Sequence, residues 1–150
     1  MPILLLATLA TDLGTVQLLL ARGADVNVRG PGGLTPLAWA AFQGSRSIAD
    51  ELLRAGANVH CVDDMGRSAL MYAAMMGHRP VVKDLVAAST DLNARDCTGR
   101  TALRFATMAG QSAMVSTLLS LGANGSLEPE APISVANSHP SMKRRPRPGR

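Results

Sequence analysis

Apolar residues along this chain come in short blocks that recur at a fixed interval. GLTPLAWAAFQG (33–44), GRSALMYAAMMG (66–77) and GRTALRFATMAG (99–110) start 33 residues apart and share their apolar and polar positions. Gly33, Gly66 and Gly99 fall in one register, as do Thr35, Ser68 and Thr101, Leu37, Leu70 and Leu103, and Gly44, Gly77 and Gly110. A second set of blocks follows in step: ELLRAGANV, DLVAASTDL and TLLSLGANG. The period reaches upstream too, because LLLARGADVN (18–27) lies 33 residues before ELLRAGANVH. A catalytic loop has no use for three copies of itself, whereas a repeated scaffold needs a joint in every unit. Units of this length cannot bury their own apolar face and must stack on their neighbours.

Local chemistry predicts two short helices in each unit. Thr35, Ser68 and Thr101 suit helix N-caps, where a hydroxyl accepts a free backbone N–H, and Pro36 suits the first turn. Gly44, Gly77 and Gly110 end the first helix. Leu52-Leu53 and Leu118-Leu119 are expected on the inward face of the second, which Gly23, Gly56 and Gly122 can end in the left-handed conformation. Ala40-Ala41 and Ala73-Ala74 let neighbouring helices approach closely. Helices this short are unstable alone, so stacking must hold them. Ser89 stands where a closing glycine belongs, at a cost of about 1 kcal/mol. That makes the exit of the third repeat the expected soft point of a modestly stable array. Counting back places Met1 just before the first helix of an earlier repeat whose turn is missing. The expected organisation is an array over 1–125, with repeats at about 1–29 (incomplete), 30–62, 63–95 and 96–125, and then a disordered basic tail, 126–150.

These blocks resemble the ankyrin-repeat family, whose signature is G-x-T-P-L-H-x-A-A-x-x-G followed by L-L-x-x-G-A-D-V-N. The resemblance covers about residues 3–125. It implies an all-α solenoid of stacked helix-turn-helix units with projecting β-turns, bent into an L-shaped array. The signature histidine is replaced by Ala38, Met71 and Arg104, and the proline by Ala69 and Ala102.

The resemblance also implies non-catalytic protein binding, as adaptor, scaffold or inhibitor, through turn tips and the concave side of the first helices. By register the tips contribute Arg29, Leu34, Asp64, Met65, Arg67, Arg95 and Arg100, beside Pro31, Gly32, Val62, Cys97 and Thr98. The helix faces contribute Phe42, Gln43, Met75, Met76 and Met108, beside Ala109. These side chains are expected to point outward and to be left unfixed by the fold. The methionines, with Phe42 and Leu34, make an apolar strip edged by Arg29, Arg67, Arg95 and Arg100. Methionine adapts its shape to a partner, arginine is enriched in interfaces, and a contiguous apolar patch marks a contact site. A helix or extended peptide with apolar anchors and acidic flanks suits such a groove. The competing expectation folds Met75 and Met108 back into the packing between repeats. Trp39, Tyr72 and Phe105 form another column. It could stack bases, but the family mostly buries this position, so core packing is expected.

Composition narrows the function further. The net charge of +4 sits unevenly, with ten basic and nine acidic residues in 1–124 against five and two in 125–150. The high pI therefore describes the tail more than the array, and it is weak evidence for nucleic-acid binding, which wants basic residues massed on a docking face. KRRPR (143–147) fits a nuclear-import signal, a phosphate-binding run or simply a solvated tail. Cys61 and Cys97 lack the spacing of a disulfide framework or zinc site, which points to an intracellular, cytoplasmic setting, with nuclear entry left open by KRRPR. MPILLLATLA lacks a basic lead-in and is half a membrane span long, so neither secretion nor membrane insertion is expected. The sequon Asn124-Gly125-Ser126 is then not expected to carry sugar.

Candidate chemistry is sparse. There is no HExxH, P-loop or GxSxG, and no cofactor or metal is expected. His60 stands where the family has Asn at the turn, and His78 follows Gly77 at a place where the family often has histidine. Both are expected to be structural, and His139 lies in the tail. His60 and Cys61 are two adjacent ligands where a metal needs three or four. Nothing near Cys97 marks it as an activated thiol. Asp63 and Asp96 begin the projecting turns and are expected to cap local amides, leaving Asp64 for a partner or for solvent. The first helix, ILLLATLA, is apolar almost all round, although a terminal repeat should show water a polar face. Either the array continues upstream in a longer protein, or this face meets a partner or another copy. The runner-up function is the targeting part of a larger enzyme or ubiquitin-ligase assembly, and a third is nucleic-acid association through the tail.

Overall fold

The computed structural model describes residues 1–125. The expected basic tail, with KRRPR, His139 and the end of the sequon, lies outside the described residues. Among the described residues eight α-helices follow one another in pairs: α1 (Ile3–Leu9) with α2 (Leu13–Ala21), α3 (Pro36–Gln43) with α4 (Arg46–Arg54), α5 (Ala69–Met76) with α6 (Arg79–Ala87), and α7 (Ala102–Met108) with α8 (Ser112–Ser120). The first helices α1, α3, α5 and α7 stack in a row, each second helix packs on its own first helix, and α2, α4 and α6 stack behind them. Among the described residues no strand forms. The turns hold one 3-10 turn, Pro31–Gly33, and an isolated antiparallel bridge between Val62 and Ser68. No helix among them is long and apolar enough to cross a membrane.

The capping hydroxyls do what their register predicts. Thr35 accepts from the Ala38 N–H at 3.2 Å, Ser68 from Met71 at 3.3 Å and Thr101 from Arg104 at 3.2 Å. The caps therefore form without the signature histidine. Asp12 adds a cap on α2, accepting from the Thr15 N–H at 3.1 Å and its hydroxyl at 2.6 Å. Ala40, Ala41, Ala73 and Ala74 are completely buried between first helices, and Leu37, Leu70 and Leu103 anchor each unit. Leu52 and Leu118 point inward as expected, but Leu53 is half-buried and Leu119 is exposed. Successive side chains are turned by about 100° around a helix, which carries Leu119 from the inward face toward solvent. Tyr72 and Phe105 are buried and Trp39 half-buried, so this column is packing and not an open platform.

Polar links tie each unit to the next. The His78 ring Nε2 lies 3.0 Å from the Phe42 carbonyl, and the Gln43 side-chain amide donates to the Leu9 carbonyl at 2.9 Å. In both cases a later unit satisfies a carbonyl that the end of a first helix leaves open. Adjacent turn tips are joined by backbone bonds, from Asp64 N–H to Gly32 O and from Cys97 N–H to Met65 O, both 2.9 Å. Behind the second helices, the Asn27 side-chain oxygen accepts from the Asn58 N–H and that of Asn93 from the Asn124 N–H, both at 2.8 Å.

Candidate functional site

The projecting turns are built around two buried carboxylates. Asp63 Oδ1 accepts the N–H groups of Met65 and Arg67, each at 2.9 Å, while Oδ2 takes Arg67 Nε at 3.0 Å and the Tyr72 hydroxyl. Asp96 repeats the design. Its Oδ1 accepts from the Thr98 N–H, the Thr98 hydroxyl and the Arg100 N–H, and its Oδ2 from Arg100 Nε at 3.1 Å. Burial alone would raise both carboxyls. The Tyr72 hydroxyl, the turn amides and Arg67 outweigh it at Asp63, and the Arg100 and Thr98 donors do so at Asp96, so both lie below the ordinary carboxylate value. Burial, and then the bond to Asp63, push the Tyr72 hydroxyl well above its ordinary value.

This frame captures two of the arginines expected to stand free. The Arg67 guanidinium sits 5.1 Å from the Tyr72 ring centroid and Arg100 4.7 Å from that of Phe105. Each is thus held by its own carboxylate and by a ring face beneath it. Their side chains are fixed by the fold, contrary to the expectation, because the aromatic at the buried column position supplies a platform one helical turn away. Arg29 reaches Asp64 at 3.4 Å, but both are exposed and the pair is weak. Asp64 is therefore engaged, loosely, and Arg95 is exposed.

The apolar strip divides in two. Met65, Met76 and Met108 are exposed, Met108 to 60%, whereas Leu34, Phe42 and Met75 are half-buried and lean on the core. Met75 thus folds back into the packing between repeats and Met108 does not. Phe42 meets Trp39 and Tyr72 edge-on, with centroids 5.8 and 6.0 Å away. Gln43 spends its amide on Leu9, and its side-chain oxygen is buried without a partner, as is Trp39 Nε1. Both groups lie on α3, four residues apart.

Two features escape the sequence reading. One is the Tyr72 hydroxyl on Asp63, whose signal is a tyrosine in a column otherwise held by Trp39 and Phe105. The other is an open recess of about 530 Å³ lined by Arg46, Gly77, Arg79, Pro80 and Lys83. The basic register pair Arg46 and Arg79 hints at it, but Arg46 is tied to Asp84 by bonds of 2.7 and 3.1 Å. Among the described residues no three His, Cys, Asp or Glu side chains gather as a metal site would need. The surface offers exposed methionine over a polar frame already bonded to itself, which is equipment for contact.

A family model described as ankyrin repeats (3 copies) matches residues 4–96 and 44–128. No curated protein shows a significant match to the chain. Ankyrin repeats are generally protein–protein interaction modules and typically non-catalytic.

Proposed function

The chain belongs to the ankyrin-repeat family, and we propose that it is a non-catalytic adaptor, scaffold or inhibitor holding a protein partner on its turn tips and first helices. The carrying observation is the exposure of Met65, Met76 and Met108 beside turns whose amides and arginines are already bonded to Asp63 and Asp96. Such a surface gains by burying apolar area and loses little by desolvating polar atoms. Leu34, Phe42 and Met75 supply its half-buried floor, and Gln43 its rim. The favoured partner is a helix or extended peptide with apolar anchors. Acidic flanks add little, because Arg67, Arg100 and Arg29 each already face a carboxylate. An intracellular, reducing setting is supported by Cys61 and Cys97, both unpaired thiols.

The test is affinity capture from cell extract with mass spectrometry, comparing the wild type with a Met76→Glu/Met108→Glu variant. Both sites are exposed, so circular dichroism should show equal folding. Proteins held by the wild type and lost by the variant identify the partner. Identical captured sets would remove the methionine surface from the function.

A further inference from the structure

The methionines that follow Met1 among the described residues sort by what covers them. Met65, Met76 and Met108 are 45%, 41% and 60% exposed, and all three lie on the proposed strip. Met71 and Met114 are 2% and 1% exposed and belong to the core cluster. Met71 takes the register of buried Ala38, and Met114 that of buried Ile48 and Val81. Met75 is half-buried and packs against the same core.

This partition has a chemical consequence. Methionine carries its sulfur near the end of an unbranched side chain, so an exposed methionine offers a polarizable thioether to solvent. A hydroperoxide converts it to the sulfoxide. The sulfur lone pair takes the terminal peroxide oxygen, the O–O bond breaks, and water or an alcohol leaves with the proton. Sulfur loses two electrons and the peroxide gains them. The product is polar, and its oxygen is a new acceptor. The turn beside Met65 has no spare amide for it, because the Met65 and Arg67 N–H groups are spent on Asp63 and the Cys97 N–H on the Met65 carbonyl. A docking partner would then have to bury a polar atom without an answering donor. In the core the same reagent meets covered sulfur, and the packing is left intact.

We propose that Met65, Met76 and Met108 are a modification site, at which a hydroperoxide releases the partner while the repeats stay folded. This rests on the reading of the strip as the binding surface.

The full 150-residue chain is treated with hydrogen peroxide and then with a thiol reductant, which returns reversibly oxidised Cys61 and Cys97 but leaves sulfoxides in place. Peptide mass spectrometry should show Met65, Met76 and Met108 oxidised at least about tenfold faster than Met71 and Met114, with an unchanged circular dichroism spectrum. In capture from cell extract, the oxidised chain should lose the proteins that Met76→Glu/Met108→Glu loses, and methionine sulfoxide reductases should restore them. Met65→Leu/Met76→Leu/Met108→Leu keeps apolar side chains of similar volume that peroxide cannot oxidise. It retains both cysteines and should still hold those proteins after the same treatment. Core methionines oxidised as fast as the exposed three, capture unaffected by oxidation, or capture lost equally by the leucine variant would each overturn the proposal. Identical capture by the untreated wild type and the glutamate variant would instead overturn the reading of the strip, and this release with it.

Discussion

Ser89 and Thr11 are held in left-handed backbone at φ 67° and 53°, the two non-glycine residues so placed among those described. Ser89 takes the register of Gly23, Gly56 and Gly122, where an added Cβ meets nothing within 4 Å, so its penalty is backbone strain alone. Thr11 takes the register of Gly44, where a Cβ would lie 2.4 Å from the His78 ring. Thr11 escapes that clash because the unit after it carries small Ser45 in the place of His78. Ser89→Gly should raise stability by about 0.5–1 kcal/mol and Thr11→Gly by about 1 kcal/mol, after the entropy glycine costs the unfolded chain. Urea titration should show higher midpoints with unchanged slopes. The strain at Ser89 is visible in the sequence because three glycines define the register. Thr11 obeys the same arithmetic but sits in the truncated first unit, where no block draws attention to it. Asp96 shows the opposite case, a residue bonded beyond its exposure. Asp96→Ala strips four donors of their acceptor and should cost about 2–4 kcal/mol. Because the folded pKa values of Asp63 and Asp96 lie below the ordinary 3.8, their stabilisation is complete above that pH and is lost as pH falls through the folded values. An acid titration followed by circular dichroism should show Asp96→Ala losing less between pH 4 and lower values than the wild type.

At the scale of the elements, helices were legible because their signals are local. Thr35, Ser68 and Thr101 announce their caps, and nothing beyond the next turn is needed to honour them. The arginines were not legible, since Arg67 and Arg100 could equally project from the tip. What turns them inward is a buried carboxylate four residues back together with a ring on the following helix, a tertiary coincidence. The loops behind the second helices fall between these cases. Asn27 and Asn93 each hold the next unit by one backbone N–H, and His60 occupies the same register between them. Among the described residues the His60 side chain makes no such bond to Asp91, and strained Ser89 lies two residues before that amide. Between units 30–62 and 63–95 this rear loop therefore lacks its tie, and His78 and the Arg46–Asp84 pair hold the junction elsewhere. His60→Asn restores an acceptor of the right length and should add about 0.5–1 kcal/mol. Hydrogen exchange at the Asp91 amide is the direct measurement, and protection should rise there more than at Asn58 or Asn124.

Over the whole molecule, stability sums over units and the contacts between neighbours, so a surface can be devoted to binding without weakening the core. The proposed binding strip was only partly legible for that reason: Met75 and Met76 are adjacent in sequence, yet one leans on the core and the other on solvent. Charge follows a similar logic. Residues 1–124 hold ten basic and nine acidic side chains, and the arginines nearest the strip meet carboxylates of their own repeat or the next. A partner docking on methionine then finds little unpaired charge. Its affinity should change by less than about threefold between low and high salt, since few counterions are released. Attraction of the basic tail to nucleic acid would instead fall steeply and log-linearly with salt. Titrating the captured partner against the full chain, and against the chain lacking Lys143–Arg150, separates the two. The expected result is the same shallow salt dependence for both. A steep slope that persists without the tail would mean that the arginines bind the partner in place of Asp63 and Asp96, and the turns would then have to open before the strip could be used.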